Sequence, residues 1–200
     1  MLIGICGFKS SGKDTVADYF VKHQGFKRLS FASAVKDVVS IIFNWPRDKL
    51  EGLTPEDREW REQIDNRWAQ LLNMPQLTPR FAMQYFATDL FRNHFHPDIW
   101  LKIIENKLDK NEKIVISDCR FQNEIDMIKK NNGIILEVHR NMPQWFYKDK
   151  HGEEALQLHA SEREWLKCKT DYVIENNGTI DELHSNIFQT VYQNYLHKTS

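Results

Sequence analysis

Five residues, Leu2-Ile3-Gly4-Ile5-Cys6, run directly into Gly7-Phe8-Lys9-Ser10-Ser11-Gly12-Lys13-Asp14-Thr15, and this junction restricts the fold more than any other stretch of the chain. A short buried strand, a turn with the Gly-x-x-x-x-Gly-Lys spacing and a following helix gather several backbone N–H groups and one ammonium around a polyphosphate. Val16, Ala17, Tyr19 and Phe20 continue with helical spacing, the context the motif requires. Gly7, Lys9, Ser10, Ser11, Gly12, Lys13, Asp14 and Thr15 are therefore the candidate nucleotide-binding residues. One position is irregular. The lysine of such loops is normally followed by Ser or Thr, whereas here Asp14 follows it and Thr15 comes one place late. A helical step of about 100° carries Thr15 around the axis, so it does not replace the missing hydroxyl. Asp14 is the candidate oxygen on the metal side of the loop.

Composition bounds what surrounds the loop. With 200 residues, 41% of them hydrophobic, the chain is expected to form one globular domain with a sizeable core, carrying a small insertion or lid. A formal net charge of −1 argues against the nucleic acid backbone as main partner, which selects a strong basic excess. Cys6, Cys119 and Cys168 are an odd, widely spaced set that suggests neither disulfides nor a zinc site and suits a reducing cytoplasm. No run approaches 18 apolar residues, so no membrane span is expected, and a cytoplasmic location is.

Strand and helix alternate along the chain. Lys27 to Phe31 reads as a second strand, and Ala32 to Phe43 has helical apolar spacing that Asn44-Trp45-Pro46 ends. Residues 47–76 turn charged and tryptophan-bearing and read as a polar helical insertion, leaving a homodimer contact there open. Helices beginning with a first-turn proline are expected over Pro79 to Asn93 and Pro97 to Leu108. Further strands are expected at Lys113 to Ser117, Ile134 to Val138 and Asp171 to Glu175. Helices follow the first and last of these, at Asn123 to Lys130 and after Thr179. Five short apolar strands with helical connections imply an α/β fold: a parallel sheet covered on both faces.

Ligands of such sheets bind at the carboxyl ends of the strands. Asp118 and Arg120 follow Ile114-Val115-Ile116-Ser117 there. A strand-ending carboxylate beside a phosphate loop can orient Mg2+, and a guanidinium fork suits phosphate oxygens. The plainer readings are a turn residue and a surface ion pair. Lys36, on the helix after the second strand, is either a phosphate ligand or a solvated helical lysine.

Thr78-Pro79-Arg80-Phe81-Ala82-Met83-Gln84-Tyr85-Phe86-Ala87-Thr88-Asp89, then Trp100, then Asp118-Cys119-Arg120-Phe121-Gln122-Asn123-Glu124, and finally Asn177-Gly178-Thr179 follow the loop in order. With its Ser-Gly-Lys-Asp-Thr ending, this series resembles the deoxynucleoside monophosphate kinases of phages and large viruses. The resemblance runs from Ile3 to about Ile187 and leaves out the insertion at 47–76. Ala87 departs from it, standing where the family often has glycine. The resemblance implies a P-loop kinase fold and ATP with Mg2+ as phosphoryl donor. It also implies an acceptor pocket for a deoxynucleoside monophosphate formed by Arg80, Thr88, Trp100, Arg120 and Glu124, with Lys36, Asp118 and Gln122 as further candidates. The segment 140–170 would be a lid, with Arg140 as its cation for the donor phosphates.

The chemistry of the residues agrees. A nucleotide acceptor needs a cationic fork, an aromatic face and polar atoms at the base edge, which Arg80, Trp100 and Gln122 or Glu124 can supply. Trp100 has a second reading, as part of a core stripe with Leu101, Ile103 and Ile104. Phe81, Tyr85 and Phe86 read as core. His159-x-x-Glu162 has metal-like spacing but lacks further ligands, and reads as a salt bridge or cap. Lys13, Arg80, Arg120 and Arg140 are the expected catalytic cations. Two other functions fit the loop alone: a small-metabolite kinase such as a dephospho-coenzyme A kinase, or a nucleotide-regulated binding module.

Overall fold

Residues whose side chains alternate between two buried faces build the centre of the molecule. Ile3 and Ile5 point to one face of β1 (Leu2–Cys6), where they pack with Val16, Ala17 and Phe20 of α1 (Lys13–Gln24) and with Leu183 and Ile187 of α11 (Ile180–Ile187). Gly4 faces the other way. A Cβ placed on it would lie 2.5 Å from Ile128 Cδ1 of α7 (Gln122–Lys130) and 2.9 Å from Cys119 Sγ, so only glycine lets that helix approach. Helices on both faces of the sheet make three layers.

The computed structural model describes residues 1–193. Its sheet holds β1, β2 (Lys27–Leu29), β3 (Ile114–Ile116), β4 (Ile134–His139) and β5 (Tyr172–Glu175), all parallel, in the order β2-β3-β1-β4-β5. The five expected strands are all present, with β2 ending two residues sooner than its sequence suggests. β1, β3 and β4 are buried along their whole length, and β1 and β3 accordingly read as unbroken apolar runs, whereas β4 carries Glu137 and His139 at its carboxyl end. The register Gly4↔Ile116 and Cys6↔Glu137 brings the ends of β3 and β4 level with the loop after β1.

The chain divides into two compact units. The first, Met1–Ser30 with the chain from Ile104 onward, contains the sheet, α1, α7 and α11. It also holds three short helices between β4 and β5: α8 (Gln144–Asp149), α9 (Glu153–Leu156) and α10 (Ala160–Arg163). The second unit, Phe31–Ile103, begins with α2 (Ser33–Phe43) and continues through α3 (Pro55–Trp60), α4 (Asn66–Leu71) and α5 (Pro79–Gln84). Side-chain oxygens of Thr54, Asp65 and Thr78 cap the last three. Its core is aromatic: Phe43 stacks on Trp45 at 4.3 Å, and the edges of Trp68 and Phe86 meet Phe43. The indole of Trp45 donates to Asp65 and that of Trp68 to the Phe43 carbonyl. The tryptophans of the charged segment are thus the packing of this unit.

The long helix expected from Pro79 breaks its period. After Gln84 the backbone widens to π-type turns over Tyr85–Phe95, and α6 (Ile99–Glu105) follows. No helix among the described residues is long and apolar enough to cross a membrane.

Candidate active site

The loop from Gly7 to Gly12 lies at the carboxyl edge of the sheet, between β1 and α1. Gly7 has φ 143° and Gly12 φ 97°, and Gly12 occupies the N-cap position of α1 with no side chain capping the helix. The N–H groups of that first turn have no intrahelical acceptor and carry the positive end of the helix dipole. The buried Ser11 Oγ finds no hydrogen-bond partner in the protein. Lys13 curls back so that Nζ donates to the carbonyls of Gly7 at 2.9 Å and Phe8 at 2.6 Å. Burial, and then the Arg120 guanidinium, push the pKa of this ammonium below the ordinary lysine value. Uncapped donors, an orphaned hydroxyl and a partly desolvated ammonium at one turn fit a polyphosphate.

Arg120 reaches toward the same loop from the end of β3, and its NH1 donates to the Ser161 carbonyl and to Glu162 at 3.1 Å. His159 and Glu162, the pair with metal-like spacing, are therefore a helix cap and an ion-pair partner. Asp118 accepts a hydrogen bond from Ser30 Oγ at 2.8 Å. Asp14, exposed at the first turn of α1, is paired with Arg28 and accepts from Ser117 Oγ at 3.2 Å. Asp14, Ser117 and Asp118 carry hard oxygens of the kind Mg2+ takes. Among the described residues no three His, Cys, Asp or Glu gather as a metal cage. Lys9, Ser10 and Thr15 are exposed on or beside the loop, and Arg140 is exposed directly after β4.

Glu124 has a structural task. It is 2% exposed, and its Oε2 accepts from the backbone N–H of both Arg120 and Phe121, pinning the chain that leaves β3. Gln122 lies on the exposed face of α7 with its amide on Asp126, which turns it away from a base-edge role. In the second unit, Arg80 follows the N-cap of α5 and pairs with Glu62 at 3.5 Å. Thr88 is buried within the π-type turns. Trp100 is 4% exposed, leans on Phe91 and donates to the Ala87 carbonyl at 2.8 Å. The core reading of Trp100 is the one its surroundings support. Lys36 is neither solvated nor free: its side chain is 12% exposed and its ammonium lies 2.5 Å from Glu51, which Arg47 also holds.

Four features of the site were missed from sequence. Phe8 of the loop packs edge-on against Trp145, Phe146 and Trp165, joining the loop to the helices after β4. Asn176, buried after β5, donates its amide to the Ser11 carbonyl at 2.8 Å across 165 residues. Glu137 and His139 at the end of β4 form a buried pair at 2.7 Å. The hydrogen bond that His139 donates to Glu137 raises the His139 pKa. Burial pushes Glu137 up, but hydrogen bonds from His139 and Thr170 leave it below its usual value. The fourth feature is Arg28. Only Asn176 carried a local signal, lying next to the Asn177-Gly178-Thr179 turn.

A parallel sheet in this order, with a Gly-Lys loop opening the helix after its central strand, is the P-loop kinase fold. Within that class the chain belongs to the deoxynucleotide monophosphate kinase family, whose model matches residues 56–187. It is 32% identical over 154 residues to a protein of Acanthamoeba polyphaga mimivirus assigned to that kinase class, covering 70% of this chain and 74% of the relative. It is 26% identical over 187 residues to the deoxynucleoside-5'-monophosphate kinase of Escherichia phage T5, covering 68% and 75%. Among solved structures, a dephospho-CoA kinase from Campylobacter jejuni is similar over 96% of each chain, at 20% identity and a TM-score of 0.49, a likeness too loose to bear on the acceptor.

Proposed function

We propose that the chain transfers the γ-phosphoryl group of ATP to the phosphate of a deoxynucleoside monophosphate, giving the diphosphate and ADP. Family membership supports the reaction. The observation that carries the donor half is the uncapped first turn of α1, with the Ser11 hydroxyl and the Lys13 ammonium beside it. On binding, Lys13 exchanges the two loop carbonyls for the β- and γ-phosphate oxygens, and Arg120 exchanges Glu162 for the same charge. Asp14 and Asp118 are the residues that would hold Mg2+, which would supply charge neutralisation at the donor phosphates.

The acceptor oxygen attacks phosphorus in line, and the bond to the ADP oxygen breaks. No general base is required, because a phosphate monoester is already largely ionised near pH 7. The protein's work is alignment and charge neutralisation, shared by Lys13, Arg80, Arg120 and Arg140. Arg80 takes the acceptor phosphate as a fork, releasing Glu62. Thr88 contributes a polar contact, and Trp100 holds the Tyr85–Phe95 turns through Ala87. Segment 140–170 closes as a lid, excluding the water that would otherwise take the phosphoryl group. Three free, buried cysteines suit a reducing cytoplasm.

Arg80→Met tests the acceptor assignment. It should raise KM for the monophosphate by about tenfold or more while leaving ATP affinity unchanged, the pattern of a lost ground-state contact. An unchanged KM would remove Arg80 from the acceptor site.

A further inference from the structure

Arg28 lies in the middle of β2, an edge strand, where a charged side chain ordinarily serves only to discourage pairing with another sheet. Lys27, its neighbour, does something of that kind and pairs outward with Glu112. Arg28 does not. Its NH1 donates to Asp18 at 3.0 Å, and its NH2 donates to Ser117 Oγ at 2.7 Å and to Asp14. The Ser117 hydroxyl donates onward to the same Asp14 oxygen at 3.2 Å, closing a ring of three groups. One guanidinium thus ties the first two turns of α1 to the middle of β2 and the end of β3.

The placement answers a problem the loop creates for itself. Asp14 occupies the position at which a P-loop normally has an uncharged hydroxyl, one residue after the lysine, in the turn that receives a polyanion. A carboxylate there repels the phosphates, and Asp18, one helical turn on, adds a second negative charge on the same side of α1. We propose that Arg28 is a positioning residue for the donor site. It neutralises and fixes Asp14, and with the Ser117 hydroxyl makes an aspartate tolerable in the Ser/Thr position of the loop. A planar fork suits the task, since two of its nitrogens reach three acceptors without reorganisation. The inference rests on the donor-loop reading given above.

The dependence is specific, so it has a specific test. ATP binding is followed by titration calorimetry in the presence of EDTA, with thermal melting of each protein alongside. Arg28→Met should weaken ATP binding by about tenfold or more, through an unscreened like charge at close range. Asp14→Ser in the same chain removes that charge and should restore affinity to within about threefold of the unaltered protein. Arg28→Lys, which keeps charge but loses the fork, should fall between, and with Asp14→Ser it carries the test if Arg28→Met does not fold. An Arg28 that merely held β2 in place would lower the melting temperature and would not be rescued by Asp14→Ser. That result, or an Arg28→Met protein that binds ATP normally, overturns the inference. If the unaltered protein itself fails to bind ATP, the donor-loop reading falls and the inference with it.

Discussion

Replacing Lys13 by methionine should abolish turnover while leaving the fold intact. The ammonium makes its two hydrogen bonds to carbonyls of its own loop, so its removal deletes no long-range contact. Methionine keeps the length and the apolar stem, and the stability change should stay within about 1 kcal/mol. The chemical step is another matter. In the proposed reaction Lys13 is the cation where negative charge gathers on the transferring group, in a partly desolvated site, and removing such a group costs a factor of about a thousand or more in kcat. A melting curve and a single-turnover assay on the same preparation separate the two effects. A folded Lys13→Met protein with normal turnover would remove the loop lysine from the mechanism.

The second large effect should come from Gly12→Ala. Gly12 has φ 97°, a backbone conformation that side chains rarely adopt, and a Cβ there would lie 2.2 Å from Asn176 Nδ2. The substitution therefore strains the loop by about 1–3 kcal/mol and also displaces the amide that holds the Ser11 carbonyl. Both errors fall on the N–H groups that must point at the phosphates. ATP affinity should drop by about a hundredfold, a larger loss than a distant core methyl would cause. Calorimetry with ATP checks this, and affinity within a few-fold of the unaltered protein would mean that the loop does not need its observed shape.

How much of this was legible beforehand follows from the range of the interactions. The loop, the buried strands and the Thr78 and Thr179 caps are written in contiguous residues, where spacing and side-chain type carry the structural meaning. The insertion of β3 between β2 and β1 is not so written, because pairing of Leu2 with Ile114 depends on the whole packing of the sheet. The π-type turns at Tyr85–Phe95 escaped for a different reason. A period of 3.6 and a slightly wider one differ little over two turns, so the spacing of Phe86 and Phe91 does not distinguish them.

The site divides in the same way. Lys13, Asp118 and Arg120 could be found because motif and strand end announce them. Arg28 could not, since its partners Asp14 and Ser117 lie 14 and 89 residues away. Glu124 was visible as a residue but not as a role. Its sequence position suggests a ligand, and the structure shows it buried against two backbone N–H groups as a helix cap. Trp100 was likewise decided by its neighbours: an indole N–H held by Ala87 belongs to a packed element.

The central claim is that this loop holds ATP for transfer of its γ-phosphoryl group to a deoxynucleoside monophosphate, and one measurement addresses it directly. A coupled assay of ADP release is run with ATP, Mg2+ and each of the four common deoxynucleoside monophosphates in turn, with the Lys13→Met protein as background. The expected result is ADP formation that requires both ATP and at least one of the four, and that vanishes in the background protein. A protein that binds ATP yet releases no ADP with any of the four would contradict the account.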